Sequence, residues 1–398
     1  MNDAVLDLFA GPGGWSTGAR ALGLAETGIE LDPWACATRR AAGHRTVQAD
    51  VTATDPADYA EAEGLIASPP CRPWSPGGLR EGHLDRELVA TAIDDLAVGR
   101  DTRDINRAMC ANPESLLAAE PIRWIRALRP AWVTMEQVPA VLPLWQQYAQ
   151  HLTAWGYSVW TGVLNAADYG VPQTRKRAIL IASRVRPVTA PEPTHAKNPV
   201  DDLFGARLQP WVTMAEALDA LHQDGDWVLR SGQSIAGAGR AERCLDEPAV
   251  TITSRADLCA WVLKSRRDSD TWIASNGPRE NRRGDQPAPT FTGEAHRWSW
   301  ALERPATTVC STNRIAPPGH RDRSAGGESH FASPDTIRVT VQEAAVLQSF
   351  RPDYPWQGSR TAQFLQVGNA IPPLLAAHIV SAATGIPMPA TQPALNAA

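Results

Sequence analysis

No run of eighteen apolar residues occurs in the 398-residue sequence, and Met1 to Leu8 shows neither a basic start nor a signal-like apolar stretch. Neither membrane insertion nor secretion is therefore expected; the expected location is cytoplasmic. The six cysteines (Cys36, Cys71, Cys110, Cys244, Cys259, Cys310) never reach C-x-x-C spacing, which argues against a zinc site, an iron–sulfur cluster or a disulfide framework. No metal is expected. Lysine is nearly missing: of 38 basic residues only Lys176, Lys197 and Lys264 are lysines. A GC-rich coding sequence would give this bias, although arginine is also the better residue for phosphate and guanine contacts.

What is present describes a folded chain, with 43% apolar and 20% charged residues and length enough for one large domain or two ordinary ones. Tryptophan is abundant, with 15 residues, more than half of the aromatics. The formal net charge of −5 weighs against a nucleic-acid binder, but local patches rather than the average decide binding.

Residues 1–185 alternate short apolar runs with amphipathic segments, the pattern of a doubly wound α/β sheet. Expected strands are Ala4 to Phe9, Gly28 to Leu31, Thr46 to Ala49, Leu65 to Ser68, Trp132 to Glu136, Tyr157 to Leu164 and Ala178 to Ser183. Helices are expected from Ser16 to Leu22, Pro113 to Leu128 and Ala140 to Trp155. The Pro-rich stretch Arg186 to Pro199 then marks a boundary. Beyond it the alternation stops, and one phrase recurs at Pro248 to Thr253, Pro287 to Thr292 and Pro305 to Cys310, read as three strand starts. A helical pattern returns at Thr340 (VTVQEAAVLQSF), a loop is expected after it, and Gln366 to Pro373 leads into a helix through Ala383. The expected organisation is a catalytic and cofactor-binding domain at 1–190, an irregular second domain at 191–338, a segment at 339–385 returning to the first domain, and a loose tail at 386–398.

Four motifs carry chemistry. The first, DLFAGPGG (Asp7 to Gly14), sits at a strand-to-helix turn where glycines let a nucleotide approach the backbone closely. Glu30 follows about twenty residues on, at the end of the second strand, placed to accept ribose hydroxyl bonds, and Asp50 after the third could face an adenine amino group. A nucleoside cofactor fits this set. The second motif is SPPCRPWS (Ser68 to Ser75), in which rigid prolines fix the direction of the Cys71 sulfur, as a nucleophilic thiolate needs. The third places Glu136 at a strand end in MEQVP. The fourth, QTRKR (Gln173 to Arg177), puts three cations beside that thiol and carboxylate, as for an anionic or carbonyl-bearing substrate.

In this order, and with QVGNAIPP near the C-terminus, the motifs resemble those of the DNA (cytosine-5)-methyltransferase family, of the bacterial or phage type, over nearly the whole chain. The resemblance implies a Rossmann-like S-adenosylmethionine-dependent methyltransferase sheet with a smaller, irregular target-recognition domain at 191–338. It also implies S-adenosylmethionine as cofactor, surrounded by Phe9, Gly11, Gly13, Gly14, Glu30, Asp50 and Asn369, with Trp34 able to pack against adenine. For the reaction it implies attack of Cys71 on carbon 6 of a flipped cytosine. A Glu136 kept protonated by burial would supply a proton to ring nitrogen 3, Arg175 would bind the base carbonyl, and Arg177 would hold Glu136 or the loop in position. The loop Arg72 to Leu84, with Gly77, Gly78 and Gly82, has the composition of a closing lid.

Three features depart from the family pattern. Arg72 stands where the Pro-Cys motif usually has Gln, Gln137 where the glutamate motif usually has Asn, and residues 91–115 look like an insertion. Double-stranded DNA is the expected partner, for a monomer with any restriction endonuclease on a separate chain. Cationic patches at 251–283 and 304–323 suit phosphate or guanine contacts. An RNA (tRNA) cytosine-5 methyltransferase is the second enzyme reading, and a catalytically silent DNA-binding regulator the third. The extended Arg-rich region favours DNA, and the presence of Cys71, Glu136 and Arg175 disfavours the silent protein.

Overall fold

The computed structural model describes residues 5–75, 81–199, 208–218, 247–250 and 340–389, together with the backbone of strands at Trp227–Ser231, Glu242–Cys244, Trp261–Ser265, Trp298–Ser299 and Ile337–Arg338. Its centre is a seven-stranded sheet. The strands are β1 (Val5–Leu8), β2 (Glu26–Glu30), β3 (Arg45–Gln48), β4 (Gly64–Ala67), β5 (Trp132–Gln137) and β6 (Ser158–Asn165), with the two-residue β7 (Gln173–Thr174) outside the sheet and β8 (Lys176–Ser183) inside it. Across the sheet the order is β3-β2-β1-β4-β5-β8-β6, parallel except where β8 runs antiparallel to both β5 and β6. The central strands β1, β4 and β5 are buried throughout, as expected of parallel strands covered on both faces.

The strand order reverses at the β1–β4 junction, where the open crevice of a doubly wound sheet lies beyond the strand ends. Ser68 donates its amide to Leu8 O at 3.3 Å there, so the Gly-rich turn after β1 and the Pro-Cys segment after β4 leave the sheet side by side. This sheet is the Rossmann-like architecture expected from the sequence, with strand ends moved by at most two residues.

Two expected helices are divided. Pro113 to Leu128 is a 3-10 stretch, Pro113–Ala119, followed by α5 (Glu120–Leu128). Ala140 to Trp155 likewise divides into Pro139–Val141 and α6 (Leu142–Ala154). In both cases a proline, Pro121 or Pro143, occupies the first turn of the α-helix, where its missing N–H is harmless, whereas inside a continuous helix it would break the ladder. The remaining helices before residue 130 are α1 (Gly14–Ala21), α2 (Pro33–Ala41), α3 (Arg86–Ala97) and α4 (Arg103–Met109). The expected insertion at 91–115 comprises the end of α3, α4 and the turn after it. Asp85 ties it down, accepting from Ala111 N, Asn112 N and Ser115 Oγ at 2.7–3.0 Å.

After residue 340 the chain returns to the sheet. Thr340 opens the helix Val341–Val346 with a reciprocal capping box to Glu343. The segment read as a loop before QVGNAIPP contains a helix, Arg360–Asn369, capped by Ser359. A further helix, Pro373–Thr384, lies against α1 so closely that a Cβ on Gly18 would stand 2.7 Å from Pro373 O. Of the three recurring phrases, the first supplies Ala249–Val250, which pairs in parallel with β7; the other two, and most of both cationic patches, lie outside the described residues.

Candidate active site

The Gly-rich turn is built from strained backbone. Phe9 has φ 58°, Gly11 54° and Gly13 108°, and only glycine adopts such values without cost. Three groups fix its carbonyls: Arg39 Nη1 donates to Ala10 O at 3.2 Å, Tyr354 Oη to Pro12 O at 2.7 Å and Thr17 Oγ1 to Gly13 O at 2.9 Å. Arg39 is itself fully buried, bonded to both Glu26 oxygens at 2.9 and 3.1 Å and to Ser16 Oγ at 2.8 Å. Asp7 lies 3.9 Å from the same guanidinium, and burial pushes its carboxyl well above the usual range, against the pull of Arg39. Behind the turn, Arg20 Nη2 donates to His44 Nδ1 at 2.7 Å, and burial with that neighbouring cation pushes the histidine down to about 2. His44 is therefore neutral, with its Nε2 toward Tyr354 Oη at 3.3 Å.

Glu30 is bonded on both oxygens: Gly11 N donates to Oε2, and Leu31 N and Asp32 N donate to Oε1, each at 2.8 Å. It therefore binds the turn after β1 to the end of β2. Ala49 N donates to Glu30 O at 3.0 Å, which brings the exposed Asp50 next to it, with Asp50 Oδ1 accepting from Thr52. Trp34 is half-exposed beside these carboxylates, with Gly358 packed under its ring. Above Gly11 the space is open, since a Cβ there would meet no atom within 4 Å. Gly14 is the opposite case: its Cβ would fall 2.2 Å from Ile371 O, so glycine is required where the C-terminal segment crosses the turn. Asn369 is exposed between this crossing and Gly368, whose carbonyl accepts from Arg175 Nη1 at 3.1 Å. The cofactor candidates Phe9, Gly11, Gly13, Gly14, Glu30, Asp50 and Asn369 thus gather around the carboxyl ends of β1, β2 and β3.

The catalytic candidates gather beside them. Arg177 Nε lies 2.8 Å from Glu136 Oε1, so the carboxylate at the end of β5 is paired with the start of β8. Burial pushes the Cys71 thiol up, while the cations Arg177 and Arg175 pull it down and Glu136 opposes them, so all four groups share one site. Arg175 is 2% exposed; burial and Arg177 lower it from its ordinary value to about 9, which leaves it charged at neutral pH.

Sequence reasoning missed the residues that aim the thiol. Gln137 Nε2 donates to Pro69 O at 2.7 Å, and its Oε1 accepts from Val138 N, so this departure from the family pattern clasps the Pro-Cys segment. Trp15 Nε1 donates to Ser68 Oγ at 2.8 Å, tying α1 to the same segment. Cys71 O then accepts from Trp74 N and Ser75 N at 3.0 and 2.9 Å, turning the chain away from the sheet. Trp74 is buried, with Gly82 pressed against its indole, and residues 76–80 of the expected lid lie outside the described residues. Proximity in sequence could have singled out Gln137 and Ser68; nothing local marks Trp15 or Tyr354.

The profile of the C-5 cytosine-specific DNA methylase family matches residues 4–92 and 106–384, leaving unmatched 93–105, within the segment read as an insertion. Among curated proteins, the Type II methyltransferase M1.HphI of Haemophilus parahaemolyticus is 25% identical over 96% of this chain and 87% of its own length. The Type II methyltransferase M.DdeI of Desulfomicrobium norvegicum is 26% identical over 94% and 86%. Among solved structures, a Spodoptera frugiperda DNMT2 mutant superposes with a TM-score of 0.56 at 13% identity, over 95% of this chain and 98% of that one. The Dnmt2 methyltransferase of S. pombe gives 0.54 at 13% identity, over 96% and 98%. The fold, the order of the motifs and the profile agree: the chain belongs to the C-5 cytosine-specific DNA methylase family.

Proposed function

We propose that this protein is a DNA cytosine-5 methyltransferase that uses S-adenosylmethionine and covalent catalysis by Cys71. The observation that carries the reading is the shared site of Cys71, Arg175 and the Arg177–Glu136 pair, joined through Gly368 to the Gly-rich turn. The open space over Gly11, the carboxylates of Glu30 and Asp50 and the half-exposed Trp34 fit a nucleoside with a polar ribose and a stacking base. Phe9, Gly11, Gly13, Gly14, Glu30, Asp50 and Asn369 would hold it. Bound there, S-adenosylmethionine supplies an electrophilic methyl group for carbon 5 of the cytosine.

The chain's own residues make carbon 5 nucleophilic. The target atom is inaccessible in a duplex, so the nucleotide is flipped into the site at a cost of a few kcal/mol. The Cys71 thiolate adds to carbon 6, and Glu136, aimed by Arg177, delivers a proton to ring nitrogen 3 as charge builds there. Glu136 also accepts from the exocyclic amino group, which distinguishes cytosine from thymine. Arg175, fixed by Gly368 O, donates to the base carbonyl. Once carbon 5 is methylated, its proton leaves to a base, ring nitrogen 3 returns its proton to Glu136, the carbon–sulfur bond breaks and Cys71 departs as thiolate.

The reaction takes place on DNA in this reading, for which the Arg-rich 251–283 and 304–323 segments supply phosphate contacts. The relatives' designation as Type II methyltransferases supports a place in a restriction-modification system, with the endonuclease on a separate chain. To test the reading, the purified protein and Cys71→Ser are incubated with S-adenosylmethionine and unmethylated mixed-sequence duplex DNA, and 5-methylcytosine is measured by nucleoside mass spectrometry. Product that disappears in Cys71→Ser is expected. Product retained by Cys71→Ser overturns the covalent mechanism, and product formed on tRNA but not on DNA overturns the choice of substrate.

A further inference from the structure

Arg175 follows β7 directly, and the turn that carries it, Asn165 to Arg175, is held from two directions. Inside the turn, Arg175 N donates to Asn165 Oδ1 at 3.1 Å and Ala166 N donates to Arg175 O at 2.9 Å. Asn165 is hydrogen-bonded in turn to the Asp168 carboxylate. Asp168 Oδ1 accepts from Trp211 Nε1 at 2.9 Å, and Asp168 O from Thr194 N at 3.0 Å, Thr194 lying within the Pro-rich stretch and Trp211 beyond it. The other end of the turn is gripped by the strand Ala249–Val250, paired with β7, where Ala249 N donates to Pro172 O at 2.6 Å.

These two grips form one piece. Three residues after Trp211, the helix Met214–Leu218 begins, and Met214 N donates to Glu247 O at 2.9 Å, two residues before Ala249. Met214 and Ala249 are fully buried, so this junction is packed rather than draped over the surface. The root of the 191–338 segment therefore closes around the one turn that presents Arg175. Trp211 is 43 residues from Asp168 in sequence, so the bond has no role in forming the turn locally.

We infer that Asp168 and Trp211 are positioning residues, through which seating of the recognition segment sets Arg175 against the target base. A site-matched duplex pulling on the recognition segment would thus be felt at Arg175 before chemistry, because Trp211, Asp168, Asn165 and Arg175 are bonded in series. The inference rests on the proposed reaction. It predicts a loss in the chemical step without a loss of cofactor binding, since none of these bonds touches the Gly-rich turn.

The test is methyl transfer to unmethylated mixed-sequence duplex DNA from tritiated S-adenosylmethionine by wild type, Trp211→Phe, Asp168→Asn, Arg175→Lys and the double variant Asp168→Asn/Arg175→Lys. Trp211→Phe keeps an aromatic ring but removes the donor together with the pyrrole half of the indole, whereas Asp168→Asn removes the carboxylate with no change in size. Expected is a fall in kcat of about 10- to 100-fold for Trp211→Phe and Asp168→Asn, with KM for S-adenosylmethionine within about twofold of wild type. Adding Asp168→Asn to Arg175→Lys should then cost less than about threefold more, because the carboxylate acts through the arginine. Unchanged kcat in Trp211→Phe and Asp168→Asn, or full multiplication of the two losses in the double variant, overturns the inference. A large rise in KM for S-adenosylmethionine shows general loosening and overturns it equally. An inactive wild type would instead defeat the proposed function, so the two failures are separable.

Discussion

Replacing Arg177 by Gln removes the cation that pairs with Glu136 while keeping a side chain of similar reach. Glu136 is 6% exposed and its Oε1 lies 2.8 Å from Arg177 Nε, so the variant strands a carboxylate in a nearly dry site. Breaking one side of a buried pair costs about 3–5 kcal/mol. For a chain of this size that corresponds to a fall of roughly 4–6 °C in melting temperature. Catalysis should show a second, independent signature. Burial raises the Cys71 thiol and Arg177 is the foremost group holding it down, so without Arg177 the thiol rises further and less thiolate is present at neutral pH. The rate limb that increases with pH should move to higher pH in Arg177→Gln, each unit of movement costing about tenfold below it. The assay is the pH profile of kcat/KM for methyl transfer, with denaturant melts of Arg177→Gln, Glu136→Gln and the double variant. In the double variant the stranded charge is gone, and the stability loss should be well below the sum of the singles. An additive double variant together with an unmoved pH profile would refute the reasoning.

Further expectations follow from other contacts. Tyr354→Phe removes the bond to Pro12 O and should cost about 1–2 kcal/mol, read as a severalfold rise in KM for S-adenosylmethionine with single-turnover methyl transfer at saturation unchanged. Gly14→Ala drives a Cβ to within 2.2 Å of Ile371 O, a rigid backbone atom, and should cost about 1–3 kcal/mol in denaturant melts and weaken cofactor binding measured by calorimetry. Arg103→Ala loses the bonds to Glu120 and Thr52 O and should lower stability by about 1–3 kcal/mol with kcat unaffected, since the insertion touches no reacting group. His44, pushed down to about 2, stays neutral in the fold while the unfolded chain takes up a proton below about pH 6.5. Its contribution to stability is present above that pH and is lost on acidification at up to about 1.4 kcal/mol per unit, so His44→Gln should flatten the decline in stability between about pH 6.5 and 5.

Much of the fold and site could be read in the sequence because the chemistry is local. A glycine turn after an apolar strand, Cys71 between prolines and Glu136 at a strand end each announce themselves within a few residues, and the alternation fixes which ends they share. What could not be read depends on partners distant in the chain. The antiparallel direction of β8 follows from the turn Asn165 to Arg175 and not from the pattern of β8 itself. The helix Arg360–Asn369 reads as loop in the sequence because its buried positions, Phe364, Gln366, Val367 and Gly368, include a glycine and a polar residue whose amide is satisfied by Gln357 O. Trp15 and Tyr354 look like ordinary packing residues until the Ser68 hydroxyl and the Pro12 carbonyl that they bond are brought alongside, and Gln137 stands out only as a departure until Pro69 O is seen to accept from it.

The crossing of Gly14 by Ile371 also sets the order in which the molecule can be finished during synthesis. The Gly-rich turn leaves the ribosome first, yet Tyr354, Ile371 and the helix Pro373–Thr384 that complete its surroundings are made more than three hundred residues later. At about 5–20 residues per second, the Gly-rich turn waits roughly 15–70 seconds without the elements that shape the cradle proposed for the cofactor. A polypeptide interrupted anywhere before those residues can carry Cys71, Glu136 and Arg175 and still lack that shaped cradle. The surroundings of the Gly-rich turn are thus complete only once residues 354–384 have been made.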